Sequence, residues 1–460
     1  MRISRYVTNV ETEAGDKLLH SGLSGAVLRL SKEQEADLAQ LLCEQQEGPE
    51  THSLREHAMA KVKRALRQAM IVVDDAFDEM DYIRHEAVRE KLTAVPVFSI
   101  APTMACNLRC PYCYNPSRGH VMSQDTQDHV VSFITSQLKR READAGRVLL
   151  NWIGGEPLLA YDVMERLGNR IGEVAEELRY EIESTLFTNG VLLDAERASA
   201  LAAYPLRVQY VQVCLDGPAS VHNRSRVGPN KEPTYERICD NIIAAKKYLP
   251  IIVRLNATSE YTIEHGRALI EDLVSRHVLV PGQKSSSIAL GRVHEACAST
   301  NAGPSVMSLS EYASRQMEFA ALCQDMSLPH AADRLLCAPK GTFCMAMQEG
   351  SWTIDAEGKL HKCWEFMGAG TALGDVRRGY DQNNASLQQW VERDFTNNTE
   401  CAACQVLPLC GGGCPAFALT KGETSPDRCH PMRYGFKERI RMKYLPSQNK
   451  ASVNTNEDKE

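Results

Sequence analysis

Cys106, Cys110 and Cys113 place three thiols within eight residues, in the stretch Cys106-Asn107-Leu108-Arg109-Cys110-Pro111-Tyr112-Cys113. A [4Fe–4S] cluster takes four thiolates. Three from one tight loop hold three irons and leave the fourth iron open to a small molecule with an amine and a carboxylate. The methionine end of S-adenosylmethionine offers that pair. A zinc site is the competing reading of the same thiols, and it needs a fourth Cys or His nearby; His120 is the candidate within reach. The CxxxCxxC spacing, Tyr112 before the last Cys and the apolar run Val97 to Ile100 leading into the loop disfavour zinc.

A second concentration of thiols lies near the other end. Cys337 and Cys344 are followed by Gly358 and Cys363, then by Cys401, Cys404, Cys410, Cys414 and Cys429. Eleven of the sixteen cysteines thus fall in or beside clustered motifs, a pattern of metal binding rather than of disulfides in a reducing compartment. The scattered five (Cys43, Cys214, Cys239, Cys297, Cys323) read as buried small apolar residues. Two zinc sites remain a competing reading of this second group too. Gly411-Gly412-Gly413 reads as backbone room around a cluster, because no Lys-Ser/Thr pair follows it as a phosphate-binding loop requires.

The elements between these groups must position the chemistry. Val97 to Thr103, Val148 to Ile153, Ser184 to Thr188, Val208 to Leu215, Ile251 to Ala257 and Ser286 to Leu290 read as buried strands. Helical stretches such as Ser123 to Lys139, Tyr161 to Leu178 and Tyr235 to Tyr248 separate them, so the fold class is α/β with a parallel sheet curved into a partial (β/α)6 barrel. Chemistry in such barrels gathers at the carboxyl ends of strands. Gly154-Gly155-Glu156-Pro157, Thr188-Asn189-Gly190 and Asp216-Gly217 sit at such ends, and Arg254 and Asn256 share one face of the fifth strand by its period of two. The two glycines allow close backbone approach to a ligand, and Glu156 offers a carboxylate to an ammonium.

Residues 1–92 read as a separate α+β module resembling a winged helix, with strands at Arg5 to Thr8, Lys17 to His20 and Gly25 to Leu30 and a returning strand at Ile71 to Val73. Ser31 caps one helix carrying Leu38, Leu41 and Leu42, and a second carries Leu54, Ala58, Val62, Ala65, Leu66 and Ala69. Its Lys61, Lys63, Arg64 and Arg67 read as a solvated face. Residues 93–300 form the barrel, 301–335 a connection and bridging helix, 336–446 a Cys-rich domain and 447–460 a polar tail expected to be disordered. With 460 residues, 43% apolar and 24% charged residues and a net charge of −7, the composition is that of an ordinary soluble protein and disfavours a general nucleic-acid binder. No run has signal-peptide or membrane-span length, so no membrane partner and a cytoplasmic location are expected.

The cluster loop, the GGEP segment and the strand-end residues, including Asp216-Gly217-Pro218, His222-Asn223-Arg224 and Arg226, resemble radical S-adenosylmethionine enzymes. The seven-cysteine pattern from Cys344 to Cys429 resembles the SPASM domain that extends many of them. The resemblance implies a SAM-binding cluster on Cys106, Cys110 and Cys113, with Tyr112, Gly154, Gly155, Glu156, Thr188, Asn189, Asp216 and Arg254 around the cofactor. It also implies two auxiliary [4Fe–4S] clusters, one on Cys344, Cys363 and Cys414 and one on Cys401, Cys404, Cys410 and Cys429. Cys337 is the natural fourth ligand of the first; without it, an open iron there could take substrate. Related sulfatase maturases carry an Asp base directly after the second Cys of this domain. Here Trp364 stands there and Glu365 follows, so Glu365 is the candidate catalytic group and sulfatase maturation is disfavoured.

The N-terminal module, Ile100-Ala101-Pro102-Thr103 and Lys362-Cys363-Trp364 resemble the maturases of ribosomally made peptides. That resemblance implies a precursor-peptide partner with its leader on the N-terminal module and an external electron donor such as flavodoxin or ferredoxin. The implied reaction is hydrogen abstraction followed by a thioether, carbon–carbon or ether crosslink, with net loss of two hydrogens. The alternatives are modification of a folded protein, peptide epimerisation and a non-catalytic iron–sulfur electron-transfer protein.

Overall fold

The computed structural model describes residues 1–43, 54–115, 119–141, 146–283, 285–295, 306–328, 335–368 and 370–445. The expected tail, the connection at 301–305 and Cys297 lie outside the described residues, as do the side chains of Leu41, Leu42, Cys43, Leu54 and Ala58. Among the described residues no helix is long and apolar enough to cross a membrane.

At the amino end, β1 (Arg2–Ile3) pairs antiparallel with β5 (Val72–Val73), and β2 (Val7–Glu11), β3 (Lys17–Ser21) and β4 (Val27–Leu30) form an antiparallel meander. The first long strand starts at Val7 rather than Arg5, because Ser4 and Arg5 turn to meet the Glu79 carboxylate. Glu79 opens a third helix, Glu79–Thr93, capped by Asp78 and not foreseen in the sequence.

This module is not free-standing. Val10 and Leu18 pack in one apolar cluster with Leu336, Val406, Leu409 and Phe436 of the Cys-rich region, and Tyr6, Ile83 and Ala87 pack with Phe395 and Leu407. Short strands and three helices bury little surface on their own, so the module completes its core against its neighbour. Polar ties cross the same seam: Lys91 Nζ donates to Arg393 O at 2.9 Å and Gln405 Nε2 to Val7 O at 3.3 Å.

Six strands form the expected parallel sheet: β6 (Val97–Ile100), β7 (Gly146–Trp152), β8 (Tyr180–Thr188), β9 (Val208–Cys214), β10 (Ile251–Ala257) and β11 (Ser286–Arg292). They lie in sequential order, with crossover segments that include the helices Gln124–Lys139, Tyr161–Glu177 and Tyr235–Ala245. The sheet then continues beyond its expected edge. β12 (Trp352–Ile354), from the Cys-rich region, pairs parallel to β6, and β13 (Lys359–His361), β14 (Gly374–Asp375) and β15 (Gly379–Tyr380) follow antiparallel, making ten strands. Trp352 secures the seam: it is fully buried, 4.5 Å from the Tyr380 ring and 6.1 Å from that of Phe133. The Cys-rich region is therefore joined to the barrel by main-chain pairing as well as by side chains.

Glu90 is the polar counterpart of that seam at the amino module. Its carboxylate accepts from the Gly341 N–H, from the Thr342 N–H at 3.1 Å and from Thr342 Oγ1 at 2.8 Å, just before Cys344. Glu90→Ala leaves those donors unmatched and is expected to cost about 1–3 kcal/mol. Denaturant unfolding of the two proteins measures that loss.

Candidate active site at the strand ends

The cluster loop is held to the sheet by close backbone contact. The Gly155 N–H donates to Thr103 O at 3.1 Å and the Glu156 N–H to Ala105 O at 2.8 Å. A Cβ on Gly154 would lie 2.3 Å from Thr103 O, and one on Gly155 would lie 2.1 Å from Ala105 O. The paired glycines are thus demanded by the loop itself. On its other side the loop is fixed by the carbonyl of His120, which accepts from the Met104 N–H and Thr103 Oγ1, both at 2.8 Å. The His120 ring faces Glu357 at 3.8 Å, outside the site, so it supplies no fourth ligand.

Cys106, Cys110 and Cys113 line one cavity of about 380 Å³, together with Gly154, Gly155, Thr188 and Asn189. Burial raises all three thiol pKa values, that of Cys110 to about 12. Thiols in such surroundings become thiolates when a metal supplies the compensating charge. Among the described residues no three His, Cys, Asp or Glu side chains converge tightly enough for a single ion. Free thiols ringing a cavity are the donor set of a multi-iron cluster. Arg226 also lines the cavity, and its buried Nε has no hydrogen-bond partner, which suits a ligand carrying an acceptor such as a carboxylate or ribose hydroxyl.

A polar frame stands behind these groups. Tyr112 donates its phenol to Asp216 Oδ2 at 2.5 Å and accepts from an Arg226 terminal nitrogen at 2.8 Å. Asn256 Nδ2 donates to Asp216 Oδ1 at 3.0 Å, and Arg254 Nε donates to Asn256 Oδ1 at 2.9 Å. Burial holds the Tyr112 phenol well above its usual pKa, so it stays protonated. Burial disfavours the Arg226 cation, but Tyr112, Cys110 and Asp216 outweigh it and keep the guanidinium charged.

Arg254, Asn256 and Tyr112 reach the cavity, whereas Asp216 and Glu156 do not line it. Glu156 is fully buried, and its carboxylate accepts from the Leu158 N–H at 3.1 Å, Thr188 Oγ1 at 2.7 Å and the Asn189 N–H at 2.8 Å. It ties the ends of β7 and β8 together.

The Cys-rich region closes the cavity from above. Trp364 and Glu365, next after Cys363, line it; the Trp364 ring meets Phe187 edge-on at 5.3 Å, and Glu365 Oε1 lies 2.9 Å from His294 Nε2. Cys363 feels the thiols of Cys344 and Cys414, while Cys410 feels those of Cys404 and Cys429 and Cys401 feels that of Cys429. The two groups of the sequence reading are thus neighbours within themselves. Cys337 Sγ lies 3.5 Å from His430 Nε2, and Cys337 packs against the apolar cluster that contains Cys410. The room made by Gly411-Gly412-Gly413 is taken by protein, since Cβ atoms there would meet the Thr342 backbone, the Phe395 ring and Arg428 O at 2.2–2.5 Å.

Arg292, His294, Gln212 and Cys214 also line the cavity, and the sequence reading did not select them. Arg292 ends β11 and His294 follows it with the same spacing of two as Arg254 and Asn256, a signal that was available. Cys214 closes β9 and is half-buried in the cavity wall, unlike Cys239 and Cys323, which are buried in the core as expected.

His222 makes the frame pH-sensitive. It is buried, its Nδ1 accepts from the Asp216 N–H at 3.3 Å, and Nε2 lies 3.1 Å from Thr234 Oγ1, which itself donates to Arg226 O at 2.6 Å. That arrangement needs a neutral ring with its proton on Nε2, and burial lowers its pKa from 6.5 to about 4. Between those values the unfolded chain binds the extra proton, so stability falls as pH drops through that window, by about 3 kcal/mol once both states are protonated. His222→Asn is expected to flatten the pH dependence of denaturant unfolding by one proton.

Residues 100–273 match the family model of the radical SAM superfamily, a stretch holding the three-cysteine loop and every strand-end residue from Gly154 to Arg254. A serine-type anaerobic sulfatase-maturating enzyme of Klebsiella aerogenes is 23% identical over 329 residues, covering 69% of this chain and 79% of that protein. The structure of anSMEcpe with bound AdoMet and the Cp18Cys peptide superposes with a TM-score of 0.55 at 18% identity, covering 76% of this chain and 97% of that one. Streptococcus suis SuiB bound to its precursor peptide SuiA superposes with a TM-score of 0.52 at 17% identity, covering 92% of this chain and 97% of that one. Residues 100–273 thus carry a radical SAM domain, set in a chain built on the fold of those proteins.

Proposed function

We propose that the chain is a peptide maturase that removes a hydrogen atom from a precursor-peptide carbon and installs a thioether, carbon–carbon or ether crosslink, with net loss of two hydrogens. The observation that carries this reading is the shared cavity, in which the cluster loop of the barrel faces Trp364 and Glu365 of the Cys-rich region. A substrate threaded there meets the three-cysteine loop on one side and the Cys344, Cys363 and Cys414 group beyond the other. S-adenosylmethionine with a [4Fe–4S] cluster supplies, when bound, the removal of one hydrogen atom from an unactivated carbon. In this reading Cys106, Cys110 and Cys113 hold that cluster, and the other two thiol groups hold auxiliary clusters.

The chain's own residues orient and enclose. Tyr112, Thr188, Asn189, Arg226, Arg254 and Asn256 are the groups available to the cofactor, held by Glu156 and Asp216 behind them. Trp364 and Phe187 wall the cavity against water and fix the reacting carbon, which is most of the catalytic task for a radical reaction. In this reading Glu365, hydrogen-bonded to His294, takes the proton lost as the product forms, and the electron left on the substrate radical passes to the auxiliary clusters. The amino-terminal sheet is the surface proposed for the leader, and a flavodoxin- or ferredoxin-type protein the electron donor. SuiB, solved with a precursor peptide, has a fold that aligns with 92% of this chain, amino-terminal module included, which favours a peptide substrate.

Modification of a folded protein is the second reading, favoured by the sulfatase-maturating relatives. Anaerobic incubation of the reconstituted protein with S-adenosylmethionine, dithionite and short peptides encoded beside its gene separates the two. Intact mass is expected to fall by two hydrogens per event, and Cys113→Ala is expected to abolish the change. Deuterium uptake from heavy water at unchanged hydrogen count would indicate epimerisation. Cleavage of S-adenosylmethionine with every peptide unmodified would overturn the peptide reading in favour of a folded protein substrate.

A further inference from the structure

Among the described residues two guanidiniums donate hydrogen bonds to cysteine sulfur, and both serve the same group of thiols. A terminal nitrogen of Arg428 lies 3.1 Å from Cys401 Sγ, and one of Arg433 lies 3.2 Å from Cys429 Sγ. Arg428 is 1% exposed, held by the Glu423 carbonyl and by Asn398 Oδ1 at 3.4 Å. Glu400 steadies the pair, 3.6 Å from Arg428 and 3.5 Å from Arg433.

The Cys344, Cys363 and Cys414 group has different surroundings. Among the described residues no side-chain cation donates a hydrogen bond to its sulfurs; Lys340, Arg393 and Lys362 act on Cys344 only through space, and the Glu365 carboxylate is felt by both Cys363 and Cys414. Lys362, the buried cation beside it, turns its ammonium to the carbonyls of Gln348, Glu349 and Ser351 at 2.7–3.1 Å.

A reduced cluster carries one more negative charge than an oxidised one, so hydrogen bonds and positive charge at its sulfurs favour reduction. We propose that Arg428 and Arg433 are positioning residues that set the reduction potential of a cluster on Cys401, Cys404, Cys410 and Cys429 above that of the cluster on Cys344, Cys363 and Cys414. The difference makes the outer thiol group the preferred resting place of an electron, and Cys404 and Cys429 there are partly exposed to an external redox protein. The inference rests on the three-cluster reading above.

The test is a dithionite potentiometric titration of the anaerobically reconstituted full chain, followed by electron paramagnetic resonance, with iron and sulfide assayed alongside. Roughly twelve irons per chain are expected for three clusters, and Cys404→Ala identifies the signal of the outer one. Arg433→Gln is expected to weaken electron uptake at that signal about tenfold, ~59 mV for a one-electron couple, with the other two signals unmoved. Arg428→Gln is expected to shift the same signal in the same direction, and Arg433→Lys to recover most of the loss. Arg433 is half-exposed, so its variants test the idea even if the buried Arg428 variant fails to fold. An unmoved outer midpoint in Arg433→Gln, or an equal shift of all three signals, overturns the inference while the cluster reading stands. Roughly eight irons per chain, with no signal lost in Cys404→Ala, overturns both.

Discussion

The structure depends on one close approach, that of Gly155 to the carbonyl of Ala105, where an added Cβ would lie 2.1 Å away. Through it the end of β7 carries the loop that presents three thiols. The contact works because neither partner has a side chain in the gap and because backbone hydrogen bonds on either side, from Gly155 and Glu156, leave no polar group unmatched. Everything at the site is measured from that seat. Glu156 extends it sideways to β8 through Thr188 and Asn189, and Asn189 returns to the loop by donating to Asn107 Oδ1 at 2.7 Å.

The same logic of shared backbone joins the regions of the chain. β12 pairs along β6, the strand that leads into the cluster loop, so the Cys-rich region is in register with the strand that carries the chemistry. Three residues beyond β13's start, Lys362 and Cys363 follow, and the chain then turns Trp364 and Glu365 into the barrel cavity. The amino-terminal sheet packs against the Cys-rich region through Val10 and Leu18. Arg292, which lines the cavity and contacts Asp427, adds an ionic link between barrel and thiol region.

The polar groups at the strand ends divide into those that face the cavity and those that brace them. Asp216 holds Tyr112 and Asn256, and His222 holds the Asp216 backbone. Burial pushes the Tyr112 phenol up and the His222 imidazole down. Burial and charge partners perturb structural groups as readily as reactive ones, so shifted pKa values occur both in this frame and among the cavity thiols. The groups open to a ligand lie in front of the frame.

What the sequence by itself determined is the local chemistry: the thiol spacing, the paired glycines, the strand periodicity and the helix caps, each of which depends on residues a few positions apart. Ser123 capping the helix Gln124–Lys139 is legible for that reason. Long-range contacts alone set which strand-end residues face the cavity, that Glu156 bonds Thr188 and Asp216 bonds Asn256, that Cys337 lies beside His430, and that β12 extends the barrel. They also brought His294 to Glu365 and two arginines to Cys401 and Cys429. These outcomes depend on contacts between residues far apart in the chain, where burial and competition for hydrogen-bond partners select one orientation that no local pattern encodes.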